Sequence, residues 1–488
     1  MFEQDFYPKT GGHFSEILPG FDARASQTPK TAMACAQTAP RLSMTAMLTP
    51  LFGRRAASLV ERLRSAGARP GRPIVAATAS AEALATAACA AFALDCPFFP
   101  LDPGLPDAIA KTLVDQIGDC LTIGEGRGLS TEDILALAPG PALDFSPPRG
   151  PALLIATSGS SGRPKAVVLT GAALAASAQA SAKVTPLRPG DRWLACLPLF
   201  HIGGFSILAR CAFSGAEALL HQGFEPERVF RALVENRATH VSLTPTMLAQ
   251  LLALEHPAPP ALRHVLVGGA ALSAELARRA AAAGWPIQPT YGMSETCAQI
   301  ATLENLPADW KAGRVGRPLD GAEIALHGDG RLKVRGPMLM HGYANPDFSP
   351  GDGLCDGWFV TNDLAEIAPD GALTILGRAD ETILTGGKKV FPATVENLLA
   401  ACPGVDFVAV AGRPDPVWGE IVTAVFCGAM SPDDLLTWCR AHITGAFRPR
   451  AAVRLKKPPL LANGKPDRLK LRELALGRQT EPGAVRQD

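Results

Sequence analysis

The sequence predicts an α/β fold: a large N-terminal domain of parallel-type α/β sheets, a small antiparallel β subdomain within it, and a small α+β C-terminal domain. Three observations predict this. The chain has 488 residues, 47% hydrophobic and 19% charged, enough to bury a sizeable core. Up to about residue 330, short apolar runs alternate with longer helical ones, as in parallel strands joined by covering helices. From about Gly321 the rhythm changes to short apolar runs separated by turn residues.

Taken in order, Leu59 to Ala66 reads as the end of an amphipathic helix, Pro73 to Thr78 as a buried strand and Ala81 to Leu94 as a helix. A strand then runs into Phe98-Phe99-Pro100. The alternation continues with strand Arg192 to Leu197, helix Pro226 to Asn236, strand His240 to Leu243, helix Met247 to Leu254, strand His264 to Val267 and helix Ala274 to Ala283. The short strands are Glu323 to His327, Arg331 to Arg335, Trp358 to Val360, Ala365 to Ile367 and Leu373 to Leu376, which suggest a small antiparallel sheet or barrel. Beyond Arg378 come a helix at Ala393 to Ala401, a strand at Phe407 to Ala411 and a basic, proline-marked segment, Arg448 to Lys470. The boundaries that follow are 1–379 for the large domain, with its β-rich part at about 321–378, and 380–488 for the small one.

Composition excludes several functions. Lys and Arg number 47 against 46 Asp and Glu, a net charge of +1, without the basic excess that nucleic acid or an anionic membrane calls for. The 11 cysteines form no C-x-x-C pair, and most sit in apolar runs such as Trp193-Leu-Ala-Cys196-Leu, as free thiols of a reducing, cytoplasmic compartment do. The N-terminal residues show neither a basic start nor an apolar stretch, so no secretory signal is expected. The alanine-rich run Ala83 to Leu94 is too short to span a bilayer, which takes about 20 residues.

One segment stands out chemically: Leu153-Leu-Ile-Ala-Thr157-Ser158-Gly159-Ser160-Ser161-Gly162-Arg163-Pro164-Lys165, followed by Ala166-Val-Val-Leu169. An apolar strand enters a loop of glycines and hydroxyls, a lysine follows, and a second apolar strand leaves. Glycines let backbone N–H groups turn toward an anion, hydroxyls add donors, and the lysine adds charge. It is not a Walker loop, because Arg163-Pro164 separate Gly162 from Lys165 and a strand follows in place of a helix. A bare Gly/Ser run is as often a linker, but a linker does not need two buried strands to hold its ends.

This loop resembles the T-S-G-[ST]-[ST]-G-x-P-K-G hallmark of the adenylate-forming enzymes, which include acyl- and aryl-CoA synthetases, luciferases and peptide-synthetase adenylation domains. Ala166 stands at the final glycine. Further segments resemble the same family in order: Pro198-Leu-Phe-His201, Val267-Gly268-Gly269-Ala270-Ala271, Tyr291-Gly292-Met-Ser294-Glu295-Thr296, Gly357-Trp-Phe-Val-Thr-Asn362-Asp363-Leu, Gly377-Arg378-Ala-Asp380, Thr385-Gly386-Gly387-Lys388-Lys389 through Glu396, and Asn463-Gly464-Lys465-Pro-Asp-Arg468.

The resemblance implies the roles. Thr157, Ser158, Gly159, Ser160, Ser161, Gly162 and Lys165 hold the pyrophosphate end of ATP; Gly268, Gly269 and Ala270 cover the adenine; Tyr291 and Gly292 line it and Ser294 meets the α-phosphate. Glu295, with Thr157, holds Mg²⁺, a hard cation that seeks carboxylate and phosphate oxygens. Asp363 chelates the ribose hydroxyls, Arg378 contacts the nucleotide, His201 stands beside the acid substrate and Lys465 is the adenylation lysine. Asp380 is the hinge on which a mobile C-terminal lid swivels, and Gly386, Gly387 and Lys388 line the CoA channel. Asn362 replaces the family's usual glycine, so a left-handed backbone is expected there.

The implied activity is ATP-dependent, AMP-forming acid–CoA ligation, with ATP, Mg²⁺ and CoA. The segments around Leu199-Phe-His201-Ile202 and Tyr291 to Leu303, with Gly313-Arg-Val-Gly-Arg-Pro-Leu319, look most like the o-succinylbenzoate–CoA ligases of menaquinone synthesis, although Gly203 stands where those commonly carry serine. Ligation of another aromatic or fatty acid, loading of a carrier protein by a free-standing adenylation enzyme, and a non-catalytic nucleotide-binding scaffold remain open on motifs alone.

Overall fold

The computed structural model describes residues 50–124, 128–141, 147–148, 150–157 and 164–477. The first sheet has six strands in the order Gly342–Tyr343, Lys165–Thr170, Pro151–Thr157, Phe98–Leu101, Ile74–Ala77 and Leu121–Gly124, the last four parallel. The second has eleven. Five parallel strands form one half: Ile287–Met293, His264–Val267, His240–Leu243, Arg192–Ala195 and Glu217–Leu220. Six antiparallel strands continue it: Ala298–Thr302, Arg314–Pro318, Leu373–Arg378, Phe359–Ile367, Arg331–Arg335 and Glu323–Leu326.

The antiparallel strands expected at about 321–378 therefore extend the large sheet instead of closing a barrel, and the antiparallel half begins at Ala298. The cause is local. After Met293 a 3₁₀ turn, Ser294–Thr296, and two left-handed residues, Cys297 (φ 51°) and Ala298 (φ 85°), send the chain straight back along its own strand. The runs Trp358 to Val360 and Ala365 to Ile367 are one strand, Phe359–Ile367, and Asn362 lies inside it without the positive φ expected of a glycine replacement.

Helix Ala81–Ala93 forms because Ser80 caps it, its hydroxyl accepting the Ala83 N–H at 3.2 Å, and because alanine is the best helix former. Residues Ala83 to Phe92 are all buried, as an all-round apolar helix requires. Phe92 and Phe98 meet Phe205 of helix Ile202–Ser214, at ring-centroid separations of 6.4 and 6.2 Å, which fixes that helix between the sheets. Among the described residues, eight free cysteines are buried. No helix there is long and apolar enough to cross a membrane.

The C-terminal part carries its own five-stranded sheet: Lys388–Val390, Ile383–Thr385, Gly419–Gly428 and Val405–Asp415, with Ala451–Arg454 added parallel to Gly419–Gly428. The strand expected at Phe407 to Ala411 is thus one arm of a much longer hairpin. The segment expected as a basic tail holds both a strand and the start of helix Arg468–Ala475, capped by the Asp467 side chain, which accepts the Lys470 N–H at 3.1 Å. Val395, Leu399, Val422, Phe426, Leu435 and Cys439 make a separate core.

A charge network fastens this core to the chain entering it. Arg468 forms a fork with Glu396, whose side chain is 12% exposed and also accepts the Val410 N–H at 2.9 Å. Arg468 also lies 3.9 Å from Glu381, beside the bidentate Arg378–Asp380 pair (2.9 and 2.7 Å). Removing one partner of a largely buried pair strands the other charge. Arg468→Met is expected to lower unfolding free energy by roughly 3 kcal/mol, read as an earlier denaturant midpoint; an unchanged midpoint would count against this network as the fastening.

Candidate active site

In a parallel sheet, the loops at the carboxyl ends of the strands share one edge. Four of them build this site. The loop after Ala195 carries His201, the turn after Leu243 carries Thr244, the turn after Val267 carries Gly268, Gly269 and Ala270, and the turn after Met293 carries Ser294 and Glu295. His201 lies beyond strand Arg192–Ala195, at the N-cap of helix Ile202–Ser214.

Lys465 enters this edge from the C-terminal part. Its turn is tied by the Asn463 side chain accepting the Lys465 N–H at 3.1 Å, and the Thr244 hydroxyl donates to the Gly464 carbonyl at 3.3 Å. Gly464 is left-handed (φ 73°) and packs so tightly on Met247 and Thr244 that a Cβ would lie 2.9 and 3.1 Å from their side chains. Gly269, also left-handed (φ 80°), receives the lysine itself: a Cβ there would lie 2.6 Å from Lys465 Cε and 3.3 Å from Nζ. Burial pushes the Lys465 ammonium below its ordinary 10.5, with Asp363 partly opposing. Burial, with Lys465 adding to it, pushes His201 down to about 4, so it stays neutral at physiological pH; Asp102, at the end of strand Phe98–Leu101, pulls the other way.

Asp363 pairs with Arg378 across adjacent strands and accepts the Tyr291 hydroxyl at 2.6 Å. Burial raises the Asp363 carboxyl, while Tyr291, Arg378 and Lys465 hold it back. Tyr291 is therefore fixed by its hydroxyl as a wall of the site. Its strand also holds Gly292.

Glu295 sits on the 3₁₀ turn before the two left-handed residues. Such non-glycine conformations cost about 1–3 kcal/mol each and persist only when neighbours hold them. Here the Ser177 hydroxyl donates to the Cys297 carbonyl at 2.8 Å and the Thr296 hydroxyl to the Ala298 carbonyl at 3.2 Å. Burial raises the Glu295 carboxyl; the Tyr343 hydroxyl, 3.0 Å away, and Lys165 oppose it. The Lys165 ammonium lies 4.2 Å from the Tyr343 ring centroid.

Thr157 and Lys165 face each other as a register pair at the loop end of the hairpin, so the two strands do hold the ends of the loop together. Ser158, Gly159, Ser160, Ser161 and Gly162 lie outside the described residues. Gly386, Gly387 and Lys388 fall in the turn and second strand of hairpin Ile383–Val390; Gly386 donates its N–H to the Trp418 carbonyl at 2.9 Å and packs on that indole. They belong to the C-terminal sheet, apart from the cluster of His201, Lys465, Asp363 and Glu295.

Among the described residues no group of three or more His, Cys, Asp or Glu forms a metal cage. A single carboxylate, Glu295, with the Thr157 hydroxyl suits a Mg²⁺ ion that takes its remaining ligands from phosphates and water.

Sequence reasoning missed four residues. Asp102, Ser177 and Tyr343 carry no motif of their own, although Tyr343 is one of only 3 tyrosines in the chain. Arg210 had a plain signal, as the one charged residue of helix Ile202–Ser214. It is 5% exposed, its Nε and Nη2 atoms have no hydrogen-bond partner, and its guanidinium carbon lies 5.3 Å from the Trp193 ring centroid. Burial lowers it to about 10, and the nearby Cys211 and Cys297 thiols oppose the shift.

Residues 51–344 match the family described as AMP-binding enzyme, and residues 394–465 match the AMP-binding enzyme C-terminal domain. A 2-succinylbenzoate–CoA ligase of Bacillus velezensis is 34% identical over 389 residues, 76% of this chain and 80% of that protein. The o-succinylbenzoate CoA synthetase of Bacillus subtilis, solved with the acyl-adenylate intermediate, superposes with a TM-score of 0.77 at 26% identity, over 89% of this chain and 96% of that one. The same enzyme solved with ATP and magnesium ion gives a TM-score of 0.77 at 26% identity, over 89% and 98%. This chain belongs to the AMP-binding enzyme family.

Proposed function

We propose that this protein is an ATP-dependent, AMP-forming acid–CoA ligase and that its acid is o-succinylbenzoate. The observation that carries the substrate is Arg210. A buried guanidinium whose Nε and Nη2 lack hydrogen-bond partners is costly, and an anionic ligand offsets that cost. It lies on the helix that starts at His201 and within charge range of Cys297, just past Glu295. An acid with two carboxylates matches this arrangement: one reacts near Lys465 and the other neutralises Arg210. o-Succinylbenzoate has two, and the similar ligases named above act on it. Gly203 has room for a side chain, since a Cβ there would meet only Leu197 Cδ1, at 3.4 Å.

The chemistry requires one anion to attack another. Lys465, seated on Gly269, bridges the incoming carboxylate and the α-phosphate, so the developing charge meets a fixed cation. Neutral His201 offers a hydrogen bond to the acid without a competing positive charge. Asp363 and Arg378 orient the ribose, and Tyr291 walls the base. Bound Mg²⁺, held by Glu295 and Thr157, would supply charge neutralisation on the phosphates. Lys165 and the loop ahead of it take the pyrophosphate.

Thioester formation then needs a thiol at the same carbonyl. Residues 380–488 act as a mobile lid that turns at Asp380 to present Gly386, Gly387 and Lys388. The surface beside that hairpin suits a nucleotide-bearing thiol such as CoA: Trp418 and Phe447 are exposed, and the Arg450 guanidinium stacks 3.9 Å over Trp418. Free, buried cysteines support a reducing, cytoplasmic location.

Lys465→Ala is expected to lose at least about 10²–10³ in adenylate formation, with a much smaller loss when preformed acyl-adenylate is supplied with CoA. Equal losses would remove the assigned role. Because the lysine must be protonated and burial lowers its pKa, adenylation should fall as pH rises, with a midpoint below 10.5. No His201 titration should appear between pH 5 and 8, its pKa lying near 4.

The substrate is tested by pyrophosphate release across succinylbenzoate, benzoates and short to long fatty acids, with and without CoA. Release should require succinylbenzoate and yield its CoA thioester. Arg210→Met should cut kcat/KM for succinylbenzoate about 10–100-fold at little cost in thermal stability, since Nε and Nη2 have no hydrogen bond to lose and the methionine can still pack on Trp193. A thioester from a monocarboxylic acid, with Arg210→Met neutral, would overturn the substrate. An adenylate never passed to CoA would point to carrier loading.

A further inference from the structure

We propose that Tyr343 is a positioning residue that couples the lysine of the glycine–serine hairpin to the Glu295 carboxylate, its ring seating Lys165 and its hydroxyl aiming Glu295. The proposal rests on the reading that Lys165 and Glu295 serve the phosphates and their metal.

Residues Met340 to Ala344 stitch the two sheets together. His341 and Ala344 donate their N–H groups to Val168 and Ala166, each at 2.8 Å, which adds the strand Gly342–Tyr343 to the edge of the hairpin. Immediately before His341, Met340 donates its N–H to the Glu295 carbonyl, also at 2.8 Å. One short segment therefore bonds to both the strand that begins at Lys165 and the turn that holds Glu295.

The side chain repeats the link. Tyr343 lies opposite Val167, and Lys165, two residues along, projects from the same face, so its ammonium reaches the ring diagonally at 4.2 Å. The backbone of Gly353 packs against the ring's Cδ2 edge, where a Cβ would lie 2.6 Å away, and Tyr343 donates its own N–H to Asp352 at 3.1 Å. With the ring held in this way, the hydroxyl donates to Glu295 Oε1 at 3.0 Å and leaves Oε2 for other partners. A carboxylate aimed by a neighbour binds metal more tightly than a free one, and losing such an outer partner typically costs 10–100-fold in affinity.

Two variants separate the two halves. Tyr343→Phe keeps the ring and removes the hydroxyl; Tyr343→Leu removes both. Calorimetric binding of ATP is measured at stepped Mg²⁺ concentrations, beside the Mg²⁺ dependence of pyrophosphate release. Tyr343→Phe should leave metal-free ATP affinity unchanged and raise the half-saturating Mg²⁺ at least about 10-fold. Tyr343→Leu should in addition weaken metal-free ATP binding several-fold, and adding Lys165→Gln to it should cost little more, because Lys165 has already lost its seat. Identical Mg²⁺ dependence in wild type and Tyr343→Phe would overturn the proposal, as would Phe and Leu variants that behave alike. Absence of ATP binding by the wild type would instead sink the functional reading on which it rests.

Discussion

Seating one ammonium group in a buried slot is the constraint on which the rest of this structure depends. A lysine is costly to bury and loses its charge readily when buried. Lys465 reaches its place only because Gly269 has no side chain there and because Gly464 lets its own turn press onto Thr244 and Met247. Asp363 lies near enough to favour the charged lysine, and its own carboxyl is in turn steadied by Tyr291 and Arg378. The parallel half of the large sheet delivers the slot, since four of its strands end at one edge.

Around that cation the site keeps other charges in check. His201 is uncharged beside it, so attraction is reserved for anions. Glu295 sits on a strained turn, with Tyr343 and Lys165 as its neighbours. The strain of Cys297 and Ala298 is local and is fixed by Ser177 and Thr296, which suits a turn that must both reverse a strand and present a carboxylate. Arg210 is the exception, a buried guanidinium whose Nε and Nη2 find no hydrogen-bond partner in the protein.

Much of this was legible in the chain because local chemistry and global fold agree. His240–Leu243, His264–Val267 and Arg331–Arg335 are strands with the bounds that periodicity suggests. The glycine–serine loop sits between two strands, as its flanks imply. What could not be read depends on long-range pairing. Asn362 looked like a turn residue because a glycine is usual there, but it lies inside strand Phe359–Ile367, where the register with Arg331–Arg335 shifts, without a positive φ. The hairpin Val405–Asp415 with Gly419–Gly428 was half hidden because Arg413, Pro414 and Asp415 interrupt its apolar pattern while still pairing across it. Tyr343 is a matter of burial and of a neighbour far off in sequence, which no single-chain pattern displays, whereas Arg210 was visible as the lone charge in an apolar helix.

The most direct test of the seated lysine acts on its seat. Gly269→Ala adds one methyl group whose carbon falls 2.6 Å from Lys465 Cε. The flexible lysine can shift aside, but a displacement of about 1 Å in a reacting group can cost about 100-fold in rate. The measurement is the single-turnover rate of adenylate formation for Gly269→Ala, beside its rate of thioester formation from preformed adenylate. A loss near 100-fold in the first with little change in the second is the result this account predicts. Wild-type adenylation in a folded Gly269→Ala protein would contradict it.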